Sequence, residues 1–155
     1  MGKSTTRVKQ AAIDAGLDIE IIKLANSART AADAAASCEC HVGQIAKSLI
    51  FEGAQSGALM LILVSGAHEL DLSKAETLFG ETLGRADPKR VRAETGFAIG
   101  GVAPIGHMCP MPTYMDDALM GYKTVWGAGG APETVFEVTP QALLAATGAK
   151  LFSNV

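Results

Sequence analysis

The run Ala58–Val64, Ala-Leu-Met-Leu-Ile-Leu-Val, is the longest unbroken apolar stretch and limits the possible folds more than any other segment. It falls far short of the roughly 20 residues that a membrane-spanning helix needs. Across the turn Gly53–Gly57 it faces Gln44–Glu52, so the two segments read as the strands of a β-hairpin. Helices are signalled around it. Ser4 or Thr5 stands where a cap would open a helix with Val8, Ala11, Ala12 and Ala15 on its apolar face, stopping at Gly16. Thr30, with Asp33 three residues on, resembles a capping box before an alanine-rich helix to about Ser37. Asp71 or Ser73 caps a helix to Phe79, and Asp87-Pro88 starts another with proline at its first position. Thr139-Pro140 opens a last helix that Gly148 closes. Residues 18–24, Lys123–Trp126 and Thr134–Val138 are further strand candidates. Strict βαβ alternation is missing, which argues against a doubly wound nucleotide fold. The order predicts a mixed α/β fold with a mixed or partly closed sheet flanked by helices.

At 155 residues, 48% hydrophobic and 19% charged, the chain is expected to form one domain, 1–155, with a real core. The N-terminus has charges but no apolar segment behind them, so it does not read as a secretory signal. Gly2 and Thr6 fit the myristoylation pattern without a second membrane signal, and neither a membrane partner nor lipidation is expected. Cys38, Cys40 and Cys109 are an odd set that suits a reducing compartment, so a cytoplasmic location is expected. The net charge of −3 argues against an extended grip on DNA or RNA, while a small contact with one nucleic-acid end stays compatible.

Lys47 is the first residue that could carry chemistry. Strand alternation puts it in the bulkier apolar row with Ile45, Leu49 and Phe51, opposite Ala46, Ser48 and Ile50. A lysine there either guards a strand edge or points into a pocket that takes an anion or carbonyl-bearing substrate. The second feature is Thr95–His107, which holds Gly96, Gly100, Gly101, Gly106 and Pro104. It reads either as a tight turn at a sheet corner or as a loop whose backbone approaches a ligand. No phosphate-binding P-loop or dinucleotide fingerprint occurs, so ATP and NAD are not suggested and no cofactor is expected. Cys38, Cys40, His41, His107 and Cys109 lack the paired-knuckle spacing of a structural zinc site, and no metal is expected. No G-x-S-x-G elbow is present. Arg85, Lys89, Arg90 and Arg92 form the one local basic cluster.

Taken together these segments resemble the YbaK/ProX family, free-standing relatives of the prolyl-tRNA synthetase editing domain. Gln44–Phe51 is similar to the family's lysine strand, and Gly96–Gly106 to its glycine-proline loop, with Gly100 and Pro104 as the G-x-x-x-P ends. Pro112-Thr113-Tyr114-Met115-Asp116, the pair Gly129-Gly130 and Leu70–Lys74 follow in collinear order. The resemblance implies a curved, barrel-like, mostly antiparallel or mixed sheet surrounded by helices. It implies hydrolysis of amino acids wrongly attached to tRNA, with the aminoacylated 3′ adenosine of the acceptor end as partner and a monomer or homodimer as the working form. Lys47, Gly100 and Gly101 would be catalytic; Ser48, Pro104, Gly106, His107, Asp116 and Gly129 would bind substrate. Ser48 stands where members that remove alanine carry asparagine, which argues against alanine and leaves cysteine, serine, threonine or another residue open. The rival class is a non-catalytic module that uses the same pocket for a tRNA end, a nucleotide or a protein.

Overall fold

The structure is a computed structural model that describes residues 2–25, 29–98 and 100–154; Ile99 of the glycine-proline loop lies outside them. The chain runs α1 (Lys3–Asp14), β1 (Ile22–Lys23), α2 (Ala31–Cys38), β2 (Ala46–Gly53), β3 (Leu59–Ser65), α3 (Ala75–Phe79) and β4 (Leu83–Arg85). It continues through α4 (Pro88–Thr95), β5 (Thr113–Asp116), β6 (Val125–Ala128), β7 (Thr134–Val138), α5 (Pro140–Thr147) and β8 (Lys150–Phe152). Four expected starts are made by the residues that signalled them. The side chains of Thr30, Asp71, Asp87 and Thr139 each accept a backbone N–H of the following turn. At α1 the cap is Gly2 instead, and Ser4 and Thr5 lie inside the helix. The Thr5 hydroxyl donates back to the Gly2 carbonyl at 2.8 Å, so it is spent on the preceding turn rather than on a cap.

β2 and β3 form the expected antiparallel hairpin, from Ala46 opposite Ser65 to Glu52 opposite Leu59. They lie inside a five-stranded mixed sheet ordered β4-β2-β3-β5-β8, in which β3–β5 and β5–β8 are parallel. A second, antiparallel sheet is ordered β1-β7-β6. Of residues 18–24, expected as one strand, only Ile22 and Lys23 pair, with Val135 and Thr134 of β7. One parallel bridge, Ile45 to Trp126, joins the two sheets. The mixed α/β class therefore holds, and among the described residues the sheets do not close into a barrel.

Alternation along β3 distributes the core. Leu59, Leu61 and Leu63 enter a large cluster with Val8, Phe97, Met115 and Phe136. Met60, Ile62 and Val64 enter a second with Ala75, Phe79 and Phe152. β2 divides the same way: Ala46 and Ile50 pack on the first cluster, Leu49 and Phe51 on the second. Ile45 leaves the row expected for it and joins Ala34, Ala35 and Trp126 in a third cluster under α2, because the strand begins only at Ala46.

α1 fixes the outer side of the glycine-proline loop. Arg7 donates to the carbonyls of Gly96, at 2.6 Å, and Gly106, at 3.3 Å, with its guanidinium over the Phe97 ring. Gly106 has φ +84°, and a Cβ there would sit 3.0 Å from the Val8 Cα, against helix backbone that cannot yield cheaply. Gly106→Ala is expected to lower the unfolding free energy by about 1–3 kcal/mol, read as a lower urea midpoint; an unchanged midpoint would show that α1 does not need this close approach.

Candidate active site

A cleft of about 190 Å³ opens where α2, the start of β2, the glycine-proline loop and the β6–β7 hairpin meet. Many of its lining residues are small, Ala31, Ala34, Ala46, Gly100, Gly127, Ala128 and Ala131, beside Leu24, Ile45, Val102 and Val135, and the Trp126 ring is the one aromatic surface among the described residues. Lys47 and Glu133 are the charged residues lining it. A second hollow of about 340 Å³ shares Ser48, Gly100 and Val102 with the cleft and reaches Arg85 on β4. Those three shared residues make the floor continuous from the small-walled cleft to an exposed guanidinium.

Lys47 is half-buried beside Leu49 and Phe51, and its Nζ donates to the His68 carbonyl at 2.6 Å. Glu69, fully exposed, stands 3.9 Å from the same ammonium and adds little in water. Ser48 projects to the other face of β2, where its hydroxyl is shut off from solvent without a hydrogen-bond partner among the described residues. A hydroxyl in that state carries a desolvation cost that a ligand group could relieve. Gly100 has φ +89° with open space around the missing side chain. Gly101 differs: its φ is not in the left-handed region, a Cβ would meet only ordinary contacts, and its N–H is donated to the Ala98 carbonyl at 2.9 Å. Of this adjacent pair, Gly100 therefore carries the left-handed backbone, while the Gly101 N–H is already engaged. The Val102 N–H makes no hydrogen bond among the described residues.

The remaining expected residues lie elsewhere. Pro104, Gly106 and His107 border a separate hollow with Cys109 and Met111, which shares no residue with the cleft. Pro104 still shapes the cleft wall from behind, since a Cβ on Gly127 would meet its ring at 3.1 Å. Gly129 is packed against Ile21 and Thr134 in the β6–β7 hairpin and donates to the Thr134 carbonyl at 2.8 Å. Asp116 is fully buried, and its carboxylate accepts from Ser65 N–H (3.1 Å), Ala118 N–H (3.0 Å) and His68 Nδ1 (2.9 Å). Among the described residues no group of three or more His, Cys, Asp or Glu is placed to hold a metal. Burial, then Cys40 and Glu137, push the Cys38 thiol up to about 11. Of the basic cluster, Arg90 is paired with Glu52 and Glu94, so Arg85 is its member that faces a hollow of the site.

Residues 25–146 match the aminoacyl-tRNA editing domain family. The chain belongs to that family. A crystal structure assigned provisionally as a trans-editing enzyme for prolyl tRNA synthetase is 47% identical, with TM-score 0.91, covering 99% of this chain and 97% of the other. YwhH of Bacillus subtilis, which carries no assigned activity, is 30% identical over 88% of this chain and 86% of its own length. EbsC of Enterococcus faecalis, provisionally a Cys-tRNA(Pro)/Cys-tRNA(Cys) deacylase, is 29% identical over 76% of this chain and 72% of its own. Among the described residues no helix is long and apolar enough to cross a membrane.

Sequence reasoning missed His68, Trp126 and Glu133 as site residues. Glu133 carried a signal only in three dimensions: a non-glycine residue at φ +66°, with its carbonyl accepting from Leu24 N–H at 2.7 Å.

Two measurements follow from these environments. Ser48→Ala should leave the melting temperature of the free protein unchanged or raised, because it removes a buried hydroxyl with no partner. A clear drop would mean that the hydroxyl is satisfied within the protein. Burial holds His107 below its ordinary 6.5, against the hydrogen bond to the Ala103 carbonyl and with Arg7 adding to the lowering. The unfolded chain therefore binds a proton that the native one does not. This contribution is fully present above pH 6.5 and is lost as pH falls from there through the depressed native value. Urea midpoints at pH 7.5 and 5.5 should fall less in His107→Gln than in the parent; equal falls would remove His107 from the effect.

Proposed function

We propose that the chain is a trans-acting deacylase that hydrolyses the ester of a small amino acid wrongly attached to tRNA. The observation that carries this reading is the meeting of Lys47, the unpartnered Ser48 hydroxyl, Gly100 and Val102 at one cleft lined largely by alanine and glycine. Family membership supports the substrate class, and the provisional names of two relatives, one for prolyl tRNA synthetase and one for Cys-tRNA, support a small residue on proline or cysteine tRNA. Residues 1–155 are read as one working domain that needs no cofactor. Such substrates are met in the cytoplasm.

In this reading the aminoacyl group enters the small-walled cleft and the terminal adenine lies against Trp126, a contact of the kind worth about 1–3 kcal/mol per base. As the ester carbonyl becomes tetrahedral, its oxyanion needs donors already in place. The Val102 N–H and the Ser48 hydroxyl have no competing partners among the described residues, and one such donor typically contributes about 3–4 kcal/mol to the transition state. Lys47 supplies positive charge for the carbonyl or the terminal phosphate. The continuous floor toward Arg85 suits the backbone of the preceding nucleotide. Glu133 is the carboxylate available to the substrate's α-ammonium. With Glu133 given to the α-ammonium, no other carboxylate or imidazole lines the cleft among the described residues, so the nucleophile is a water or a group of the substrate itself. Asp116, with its oxygens already engaged, serves this site from behind.

The test is turnover on a panel of Cys-, Ala-, Ser- and Thr-charged tRNAs. At least one ester should be cleaved, and Lys47→Ala should abolish that cleavage with an unchanged circular dichroism spectrum. Activity of Lys47→Ala within a few-fold of the parent would remove Lys47 from the chemistry. Tight binding of the panel without cleavage would assign the chain to the non-catalytic class.

A further inference from the structure

Lys47 does not stand free. Its ammonium is held at 2.6 Å by the carbonyl of His68, a residue that belongs neither to the cleft wall nor to any motif legible in the sequence. The imidazole of the same residue meets Asp116 Oδ2 at 2.9 Å. Asp116 is wholly buried, and its other partners are the backbone N–H groups of Ser65, at the end of β3, and Ala118. The segment Ser65–His68 is a tight turn, closed by His68 N–H donating to the Ser65 carbonyl at 2.9 Å. One buried carboxylate thus grips both ends of this turn, by backbone at Ser65 and by side chain at His68. The turn in turn presents the carbonyl that fixes Lys47.

We propose that His68 is a positioning residue that, clamped to Asp116, sets the place of the ammonium of Lys47, a residue that lines the cleft. The inference rests on the reading of Lys47 as a residue of the editing site. The physical reason is entropy and direction. A lysine side chain has several rotatable bonds and a strongly hydrated head, so an unheld ammonium samples many positions. A backbone carbonyl within a clamped turn selects one of them, and being neutral it does so without cancelling the positive charge that the substrate needs. Glu69 would cancel that charge if it closed on Lys47, but at 3.9 Å and fully exposed it does not compete with the carbonyl.

Two variants separate this role from general stability. His68→Ala removes the clamp and keeps the backbone carbonyl; His68→Asn restores a donor where Nδ1 stands. On the best substrate of the tRNA panel, His68→Ala should lower kcat by roughly tenfold, as misplacement of a distant group can do. His68→Asn should recover most of the loss. Lys47→Ala and the double variant Lys47→Ala/His68→Ala should be equally inactive, because His68 acts through Lys47. A His68→Ala variant with parental kcat, or a His68→Asn variant as slow as His68→Ala at matched melting temperatures, would overturn the proposal.

An activity-independent measurement keeps the clamp distinct from the deacylase reading. Acetylation of Lys47 by a limiting amine-acetylating reagent, followed by peptide mass spectrometry, should be several-fold faster in His68→Ala than in the parent or His68→Asn. The other lysines should keep their rates. Faster labelling of Lys47 with no deacylation by the parent would uphold the clamp while the enzymatic reading fails. Equal labelling in all three proteins would overturn the clamp even if deacylation is confirmed.

Discussion

β3 has no solvent-facing side, and the remainder of the architecture answers that constraint. Leu59 to Ser65 are buried throughout, with antiparallel β2 on one edge and parallel β5 on the other. A strand apolar on both faces must be covered on both, since each exposed aliphatic side chain would forgo about 1.5–3 kcal/mol. One face is covered by α1, the glycine-proline loop and β7 through the first core cluster; the other by α3 through the second, to which Phe152 of the same sheet's β8 adds its ring. The polar end of β3, Ser65, is where coverage stops and chemistry begins. Its hydroxyl donates to the Gly43 carbonyl, its N–H to Asp116, and the chain then turns into the segment that holds Lys47.

That arrangement explains how an ammonium and an unpartnered hydroxyl coexist on neighbouring residues of one strand. Lys47 and Ser48 point to opposite faces of β2, so the charge is carried to the rim, where a carbonyl receives it, while the hydroxyl stays on the floor. Burying the ammonium itself would be far more costly than burying the hydroxyl. The cleft thus has on its lining a solvent-shielded hydroxyl next to a lysine, a pair suited to stabilising developing charge on a small ester.

The lysine strand, its hairpin partner, most helix starts and the glycine-proline loop were legible because each is written in contiguous residues. Caps, turn glycines and strand alternation act over a few positions. What was not legible depends on pairing across long separations. β5 and β8 are short and lie in parallel ladders, which no hairpin turn announces. The His68–Asp116 pair spans 48 residues of sequence and exists only because β3 and β5 are neighbours. Gly100 and Gly101 differ for a local reason: two adjacent glycines look alike in sequence, but a single turn to Ala98 assigns the left-handed backbone to one and engages the N–H of the other.

The same distinction sorts the glycine-proline loop into two surfaces. Gly106 is used for its missing Cβ toward α1, whereas Gly100 lines the cleft with open space beside it. Pro104, between them, fills the volume behind Gly127. A motif that reads as one ligand-binding stretch is therefore half scaffold, and its scaffold half is what keeps the ligand half in place. Arg7 joins the carbonyls of Gly96 and Gly106 across the loop's base, so displacing α1 would loosen the backbone that lines the cleft. The helix at the start of the chain, outside residues 25–146 that match the family, is in this way a structural part of the site.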